Sequence, residues 1–273
     1  MYYLKVFLGY LPDPRKPEGA FSWQHILFVS SLLIAMVILA VLLGKKYKNT
    51  DLKTKNKVII ASAIAIDAFE IFKLIVYYTR SDDPISTITH NLPLFLCSIQ
   101  LIAIPLAAFA KGKVKAAALD FVMIFGILGA VMGPIGAIQD YNAYAVISLE
   151  NVVSGITHTI SGFTALYIIS SGMASMKLRN IPNTCLILLV FCDLASIANY
   201  LFDYNYMFLV NHDGTPYQLI YNLVDGDPII YPLTVIALFF VYMAAYYATF
   251  YLVVYLSSKK SEARQNALAK YIA

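Results

Sequence analysis

The chain has 273 residues, of which 60% are hydrophobic and 13% are charged, and its formal net charge is +4. Soluble domains average about 45–50% apolar and about 25% charged residues. This composition, with a mean hydropathy of +0.69, therefore excludes an ordinary soluble globular protein. The apolar residues gather into runs of about 20, the length that a helix needs to cross a bilayer. These runs do not alternate polar and apolar residues as barrel strands do, so we predict an all-α polytopic membrane protein.

The apolar runs predict a bundle of seven transmembrane helices over residues 24–257. A short extracytoplasmic leader (1–23) precedes the bundle, and a basic cytoplasmic tail (258–273) follows it. The approximate bounds of the predicted spans are Gln24–Leu43, Lys57–Thr79, Ile85–Ala110, Ala116–Ile138, Tyr144–Ser171, Asn183–Leu201 and Ile229–Ser257.

The loops between these spans alternate in charge. Lysine and arginine gather in the first, third and fifth loops and in the tail, whereas aspartates occupy the loops between them. Basic loops stay on the cytoplasmic side of a membrane. We therefore predict an outside N-terminus and a cytoplasmic C-terminus for a multi-pass protein of the cell membrane. Topology and contact with anionic lipid explain the basic loops, so nucleic acid is not expected as a partner.

The third predicted span contains the stretch His90-Asn-Leu-Pro-Leu-Phe-Leu-Cys97. On a continuous helix His90 and Cys97 would share one face and lie roughly 10 Å apart along the axis. Pro93, between them, lacks a backbone donor and is expected to bend the helix. His90 is then too far from Cys97 to contact it directly.

Ionisable residues inside spans are costly, so each one is a candidate site residue. Their positions along the predicted helices place them in two layers. The layer near the bilayer midplane contains Asp67, Cys97, His158 and Asp193, and the outer layer contains Glu70, Lys73, His90 and Glu150.

A thiol becomes a nucleophile when a base lies beside it. His158, at a depth similar to that of Cys97, is the predicted base, and Asp193 or Asp67 would orient its imidazole. Asn151 or Ser154, on a polar stripe of the fifth span, would donate to a developing oxyanion. In the alternative interpretation Cys97 is a small core residue and His158 is hydrogen-bonded between helices.

Three alternative functions compete with this interpretation. The same charged layers would suit a transporter or receptor for a small polar or lipidic ligand. His90, Cys97, His158 and a carboxylate have the ligand types of a metal site, but no tight HxxxH or CxxC spacing supports one, and neither metal nor cofactor is predicted. A microbial-type retinal protein is excluded because the last span contains no lysine.

The histidine–cysteine stretch, the later Gly155-Ile-Thr-His158 and the segment from Ala198 to Leu209 together resemble the YwaF-like integral membrane proteins of bacteria. A eukaryotic branch of that group is described as an acyltransferase that builds polyunsaturated ether phospholipids, and it is similar in turn to membrane lipid hydrolases of the ADTRP type. Many bacterial members have a histidine where this chain has Phe95.

The resemblance implies a function and a site. The cysteine and histidine proposed as the catalytic pair of the eukaryotic branch map onto Cys97 and His158. A membrane phospholipid or another acyl lipid in an intramembrane pocket would be the substrate. The segment from Ala198 to Leu209 is called the late motif. Its residues Asn199 and Asn205 would shape or cap the mouth of that pocket. The oligomeric state is left open.

Overall fold

The computed structural model describes residues 1–257, and the predicted basic tail lies outside them. Within these residues the chain is helical, with short 3₁₀ turns at Leu178–Asn180 and Tyr206–Phe208 and no strand. The helices are α1 Tyr2–Phe7, α2 Trp23–Tyr47, α3 Leu52–Arg80, α4 Pro84–Thr89, α5 Gln100–Phe109, α6 Gly112–Gly136, α7 Ile138–Ala143, α8 Leu149–Ser170, α9 Ile181–Phe202, α10 Gln218–Leu223 and α11 Ile230–Ser257.

Five segments of the described chain are long and apolar enough to cross a membrane. They are Trp23–Tyr47, Gly112–Ala143, Leu149–Ser170, Leu178–Phe202 and Ile230–Leu256. Helix α3 is long enough as well, at 29 residues, but it carries Asp67, Glu70 and Lys73 in its C-terminal half and is not among the five. The count of seven spans and the orientation of the termini therefore stay predictions.

The third predicted span is not one helix, and this prediction was wrong. Residues 85–110 form all but the first residue of α4, an irregular segment from His90 to Ile99, and the short helix α5. Pro93 lacks the backbone N–H that a helix would use. The hydroxyl of Ser98 accepts a hydrogen bond from Phe95 N at 3.0 Å and donates one to Phe95 O at 3.1 Å, which closes a turn in place of a helical repeat. His90 and Cys97 consequently do not share a helix face.

The fifth predicted span begins later than expected. Residues 144–148 are not helical, and α8 starts at Leu149, where Ser148 accepts a hydrogen bond from Asn151 N at 3.2 Å. A serine at this position satisfies one of the free N–H groups of a first helical turn. The cap therefore sets the residue at which α8 begins.

Helix α6 is the centre of the bundle, and it packs against α8, α5, α9 and α2. Its residues from Ala117 to Gly126 are all buried. It lies very close to α8, since a Cβ built at Gly162 would lie 2.4 Å from the Cβ of Ala130. Small residues allow this approach of two helix backbones. Any side chain on the facing sides of α6 and α8 is thus held in a narrow space.

Candidate functional site

A cavity of about 200 Å³ lies between α3, the irregular segment, α5 and α8. Both Cys97 and His158 line it, although they belong to different elements of the fold. The residues around it are Ile66, Glu70, Lys73, Phe95, Cys97, Ser98, Leu101, Ser154, Thr157 and His158. A cavity in which polar groups from several elements converge is a candidate site for a small ligand or for part of a larger one.

Cys97 lies on the turn that leads into α5. The Ser98 hydroxyl closes this turn, and the first α5 residue, Gln100, follows it directly. Cys97 therefore lies outside α5, next to its N-terminal end.

His158 and Cys97 both face α6, and each lies against one of its glycines. A Cβ built at Gly133 would lie 1.8 Å from both Cδ2 and Nε2 of His158. A Cβ built at Gly129 would lie 3.4 Å from the Cβ of Cys97. Because these glycines are four residues apart, they lie roughly 6 Å apart along one side of α6. Cys97 and His158 thus contact successive turns of the same helix face.

The cavity also contains a pair of opposite charges. Lys73 Nζ lies 2.7 Å from Glu70 Oε1, and the two side chains are 15% and 13% exposed. Lys73 also lies over the ring of Tyr77, 5.7 Å from its centroid. A pair so little exposed is stable only because each charge compensates the other. The two residues predicted for an outer layer therefore lie in the same cavity as Cys97 and His158.

The late motif holds the segment that carries Cys97. The Asn199 amide pairs with the backbone of Tyr206 on both sides, since Nδ2 donates to Tyr206 O at 3.1 Å and Oδ1 accepts from Tyr206 N. The Tyr206 hydroxyl donates to Thr89 O and accepts from Leu92 N at 3.1 Å. Asn199 therefore lies in an anchor behind the cavity.

Asn205 belongs to an exposed turn beside this anchor. Its Oδ1 accepts from Val210 N at 3.0 Å and Asn211 N at 3.2 Å, and its Nδ2 donates to Asn211 O at 2.9 Å. These bonds fix the course of the loop after α9. Neither asparagine of the late motif is among the residues lining the cavity.

The structure does not bring the other predicted residues to this cavity. His90 stacks on Tyr204 with ring centroids 4.5 Å apart. Asn151 is buried and donates through Nδ2 to Ala145 O at 3.0 Å, so its amide supports the loop before α8. Asp67 is half-buried beside the cavity without lining it, and Asp193 is exposed on α9.

Glu150 lies in a second cavity, of about 430 Å³, between the N-terminal residues and the start of α8. It is paired with Arg80, whose guanidinium also donates to Leu8 O at 3.0 Å. Asp13 and Arg15, in the leader, line the same cavity, and the hydrogen bond from Arg15 lowers the pKa of the Asp13 carboxyl. Polar contacts therefore attach the leader to the bundle where α3 ends and α8 begins.

Sequence reasoning missed several residues of the site. Ser98 and Thr157 were not singled out, although each is adjacent to a predicted catalytic residue. Gly129 and Gly133 were missed too. Their spacing of four residues, which places both on one helix face, could have identified them. No group of three or more histidine, cysteine or acidic side chains within residues 1–257 is arranged to hold a metal ion.

These observations define an all-helical membrane protein with a partly polar cavity inside its helical bundle. The sequence matches the model of the TMEM164 family over residues 20–253, and the chain belongs to that family. Comparison with curated proteins and with solved structures gives no match.

Proposed function

We propose that this protein is a membrane-embedded lipid acyl-transfer enzyme, with Cys97 as nucleophile and His158 as base. The observation that carries the proposal is the shared cavity, in which a thiol and an imidazole from distant parts of the chain contact successive turns of α6. A nucleophile and a base in one water-restricted cavity are the minimum for covalent acyl transfer.

The chemistry needs no further group. The imidazole of His158 takes the Cys97 proton while the sulfur attacks the ester carbonyl of a phospholipid or another acyl lipid. The imidazolium then protonates the leaving alcohol, which leaves a thioester on Cys97. In the second half, His158 takes the proton of an acceptor hydroxyl, which attacks the thioester, and the thiol regains its proton.

The other residues of the cavity suit the parts of such a substrate. Ile66 and Leu101 provide apolar wall for an acyl chain, and the Glu70–Lys73 pair provides charge for a polar head group. Ser154 takes the predicted role of oxyanion donor, since the Asn151 amide is bonded to the loop before α8.

The carboxylate of the site also differs from the predicted one. Glu70 lines the cavity, whereas Asp67 and Asp193 do not. Of these three carboxylates only Glu70 therefore belongs to the cavity, where it is paired with Lys73. A transport path through Asp67 and Asp193 has no such support.

The membrane arrangement completes the proposal. Helix α3 and the broken third segment add two passages to the five apolar segments, giving seven with the N-terminus outside. The basic loops face the cytoplasm of a bacterial cell. In this arrangement the cavity opens in the outer half of the plasma membrane, within reach of its lipids.

The test is acyl transfer by the purified protein in detergent micelles. The donor is a diacyl phospholipid with deuterated acyl chains, the acceptor is a lysophospholipid, and mass spectrometry follows the labelled product. Intact-mass analysis of the protein detects the acyl group on Cys97. Cys97→Ala and His158→Ala should each abolish transfer, since loss of a nucleophile removes the covalent route and loss of a general base costs about a hundredfold or more.

Cys185→Ala is the matched control. This substitution also removes a thiol, but one that lies on α9 outside the cavity, so it should leave transfer unchanged. Full transfer by Cys97→Ala would refute the proposal. So would a protein that folds, never acquires an acyl group and makes no labelled product.

A further inference from the structure

Helix α6 carries a glycine, Gly133, at its closest approach to His158. We propose that Gly133 is a positioning residue, whose missing side chain leaves the space that holds the His158 imidazole in the cavity that Cys97 also lines. This inference rests on the proposed function, because it concerns the base of that reaction.

The space at Gly133 is fully occupied by the imidazole. A Cβ built there would lie 1.8 Å from two ring atoms of His158 and 3.1 Å from a third, Cε1. Non-bonded carbon atoms approach favourably only to about 3.5–4.0 Å. The ring and a methyl group at residue 133 therefore cannot occupy their present positions together.

The ring rather than the helix would move. The atoms that clash are at the far end of a side chain with two rotatable bonds, whereas the backbone next to Gly133 is held in place. His25 Nδ1 accepts a hydrogen bond from Phe21 N at 2.9 Å, so its Nε2 carries the ring proton and donates to Pro134 O at 3.0 Å. His25 is only 2% exposed, and this bond fixes the end of α6 against α2.

A glycine here is otherwise unfavourable. Within a helix glycine is less stable than alanine by about 1 kcal/mol. Gly133→Ala should therefore improve the intrinsic stability of α6 while it displaces the imidazole. A loss of function without a loss of folding is the signature of a positioning residue.

A second glycine of α6, Gly136, provides the matched control. Nothing lies within 4 Å of the Cβ that alanine would add there. Gly136→Ala makes the same chemical change in the same helix without touching the imidazole or Cys97. It should keep acyl transfer.

The first measurement is transfer from the deuterated phospholipid by Gly133→Ala, compared with Gly136→Ala and with His158→Ala. The second is the rate of Cys97 alkylation by iodoacetamide as pH rises, read by peptide mass spectrometry. We expect transfer by Gly133→Ala to fall about a hundredfold or more. Its alkylation profile should match that of His158→Ala, whereas the profile of Gly136→Ala should match that of the wild type. A purely structural effect would not reproduce the profile of the histidine variant.

The double variant Gly133→Ala/His158→Ala separates a clash from general damage. Without the imidazole the methyl group has room, so adding Gly133→Ala to His158→Ala should not lower the melting temperature. The two substitutions are then coupled, as expected for groups in contact. If Gly133→Ala alone does not fold and the double variant does, the clash is demonstrated directly.

The failures of the two proposals are distinct. Wild-type transfer by Gly133→Ala, with His158→Ala inactive, refutes the role of Gly133 alone. Equal losses in Gly133→Ala and Gly136→Ala, or a double variant that does not fold, refute it too. Wild-type transfer by His158→Ala would instead refute the proposed function.

Discussion

The Tyr206 hydroxyl helps to hold the segment that carries Cys97 in place, and a substitution at this residue tests that role. Its hydroxyl makes two hydrogen bonds to the backbone of this segment, to Thr89 O and from Leu92 N, and its side chain is fully buried. Tyr206→Phe removes both bonds and keeps the ring that packs on Phe95, with centroids 5.2 Å apart. The substitution therefore isolates the contribution of the hydroxyl.

The expected size of the effect follows from those two bonds. Each contributes about 0.5–1.5 kcal/mol net, so together they stabilise the closed segment by about 1–3 kcal/mol. Loss of this free energy in Tyr206→Phe corresponds to about a 5- to 150-fold increase in the population of the open segment. Opening is local, because Asn199 still holds the Tyr206 backbone.

The assay is hydrogen–deuterium exchange of peptides that cover residues 85–99. The Leu92 amide should exchange faster by the factor above, and Cys97 should become more accessible to alkylation. The control is Tyr242→Phe, which removes a hydroxyl that donates to Ile124 O at 3.1 Å, on α6. That variant should leave exchange in this segment unchanged. Equal exchange of Leu92 in the wild type and in Tyr206→Phe would refute the anchoring role.

Three further predictions concern the rest of the fold. Asp120 is fully buried and accepts a hydrogen bond from Asn180 Nδ2 at 2.7 Å. Asp120→Asn sets two amide groups against each other, so it should lower the free energy of unfolding by about 1–3 kcal/mol, as measured by thermal denaturation. Arg80→Met removes the guanidinium that joins α3 to the leader and to α8, so limited proteolysis within residues 1–20 should become faster than in the wild type. The hydrogen bond from Arg15 lowers the pKa of Asp13, so the stabilisation by this pair is present above the unfolded pKa of about 3.9 and lost as pH falls below it. Protection of the leader from an acid-stable protease should therefore stay constant down to about pH 5 and decline below about pH 4, and a decline nearer neutrality would contradict this assignment.

The apolar spans could be read from the sequence because hydropathy is a local property. The first and last predicted spans correspond to Trp23–Tyr47 and Ile230–Leu256 within a few residues. A run of about 20 apolar residues must cross the bilayer as a helix whatever its neighbours are. His158 was predicted as a site residue in the same way, since an ionisable group in such a run is costly, and Cys97 was added as a potential nucleophile.

The break of the third span was only half visible in the sequence. Pro93 predicted a bend, but the segment leaves helical geometry because Tyr206 supplies hydrogen bonds from more than a hundred residues away. A local pattern contains no information about such a partner. The same holds for Asn199, whose role depends on the loop that follows α9.

The rotation of each helix about its axis was decided by tertiary packing alone. Depth along a helix follows from sequence position, so Asp193 could be assigned to a level of the membrane but not to a face, and it is exposed. Glu70 and Lys73 were placed in a different layer from His158, yet all three line one cavity. Hydropathy determined which segments enter the membrane, whereas the close packing of α6 against its neighbours determined which side chains meet there. Contact between side chains depends on how the helices pack together and not on the order of residues along one of them.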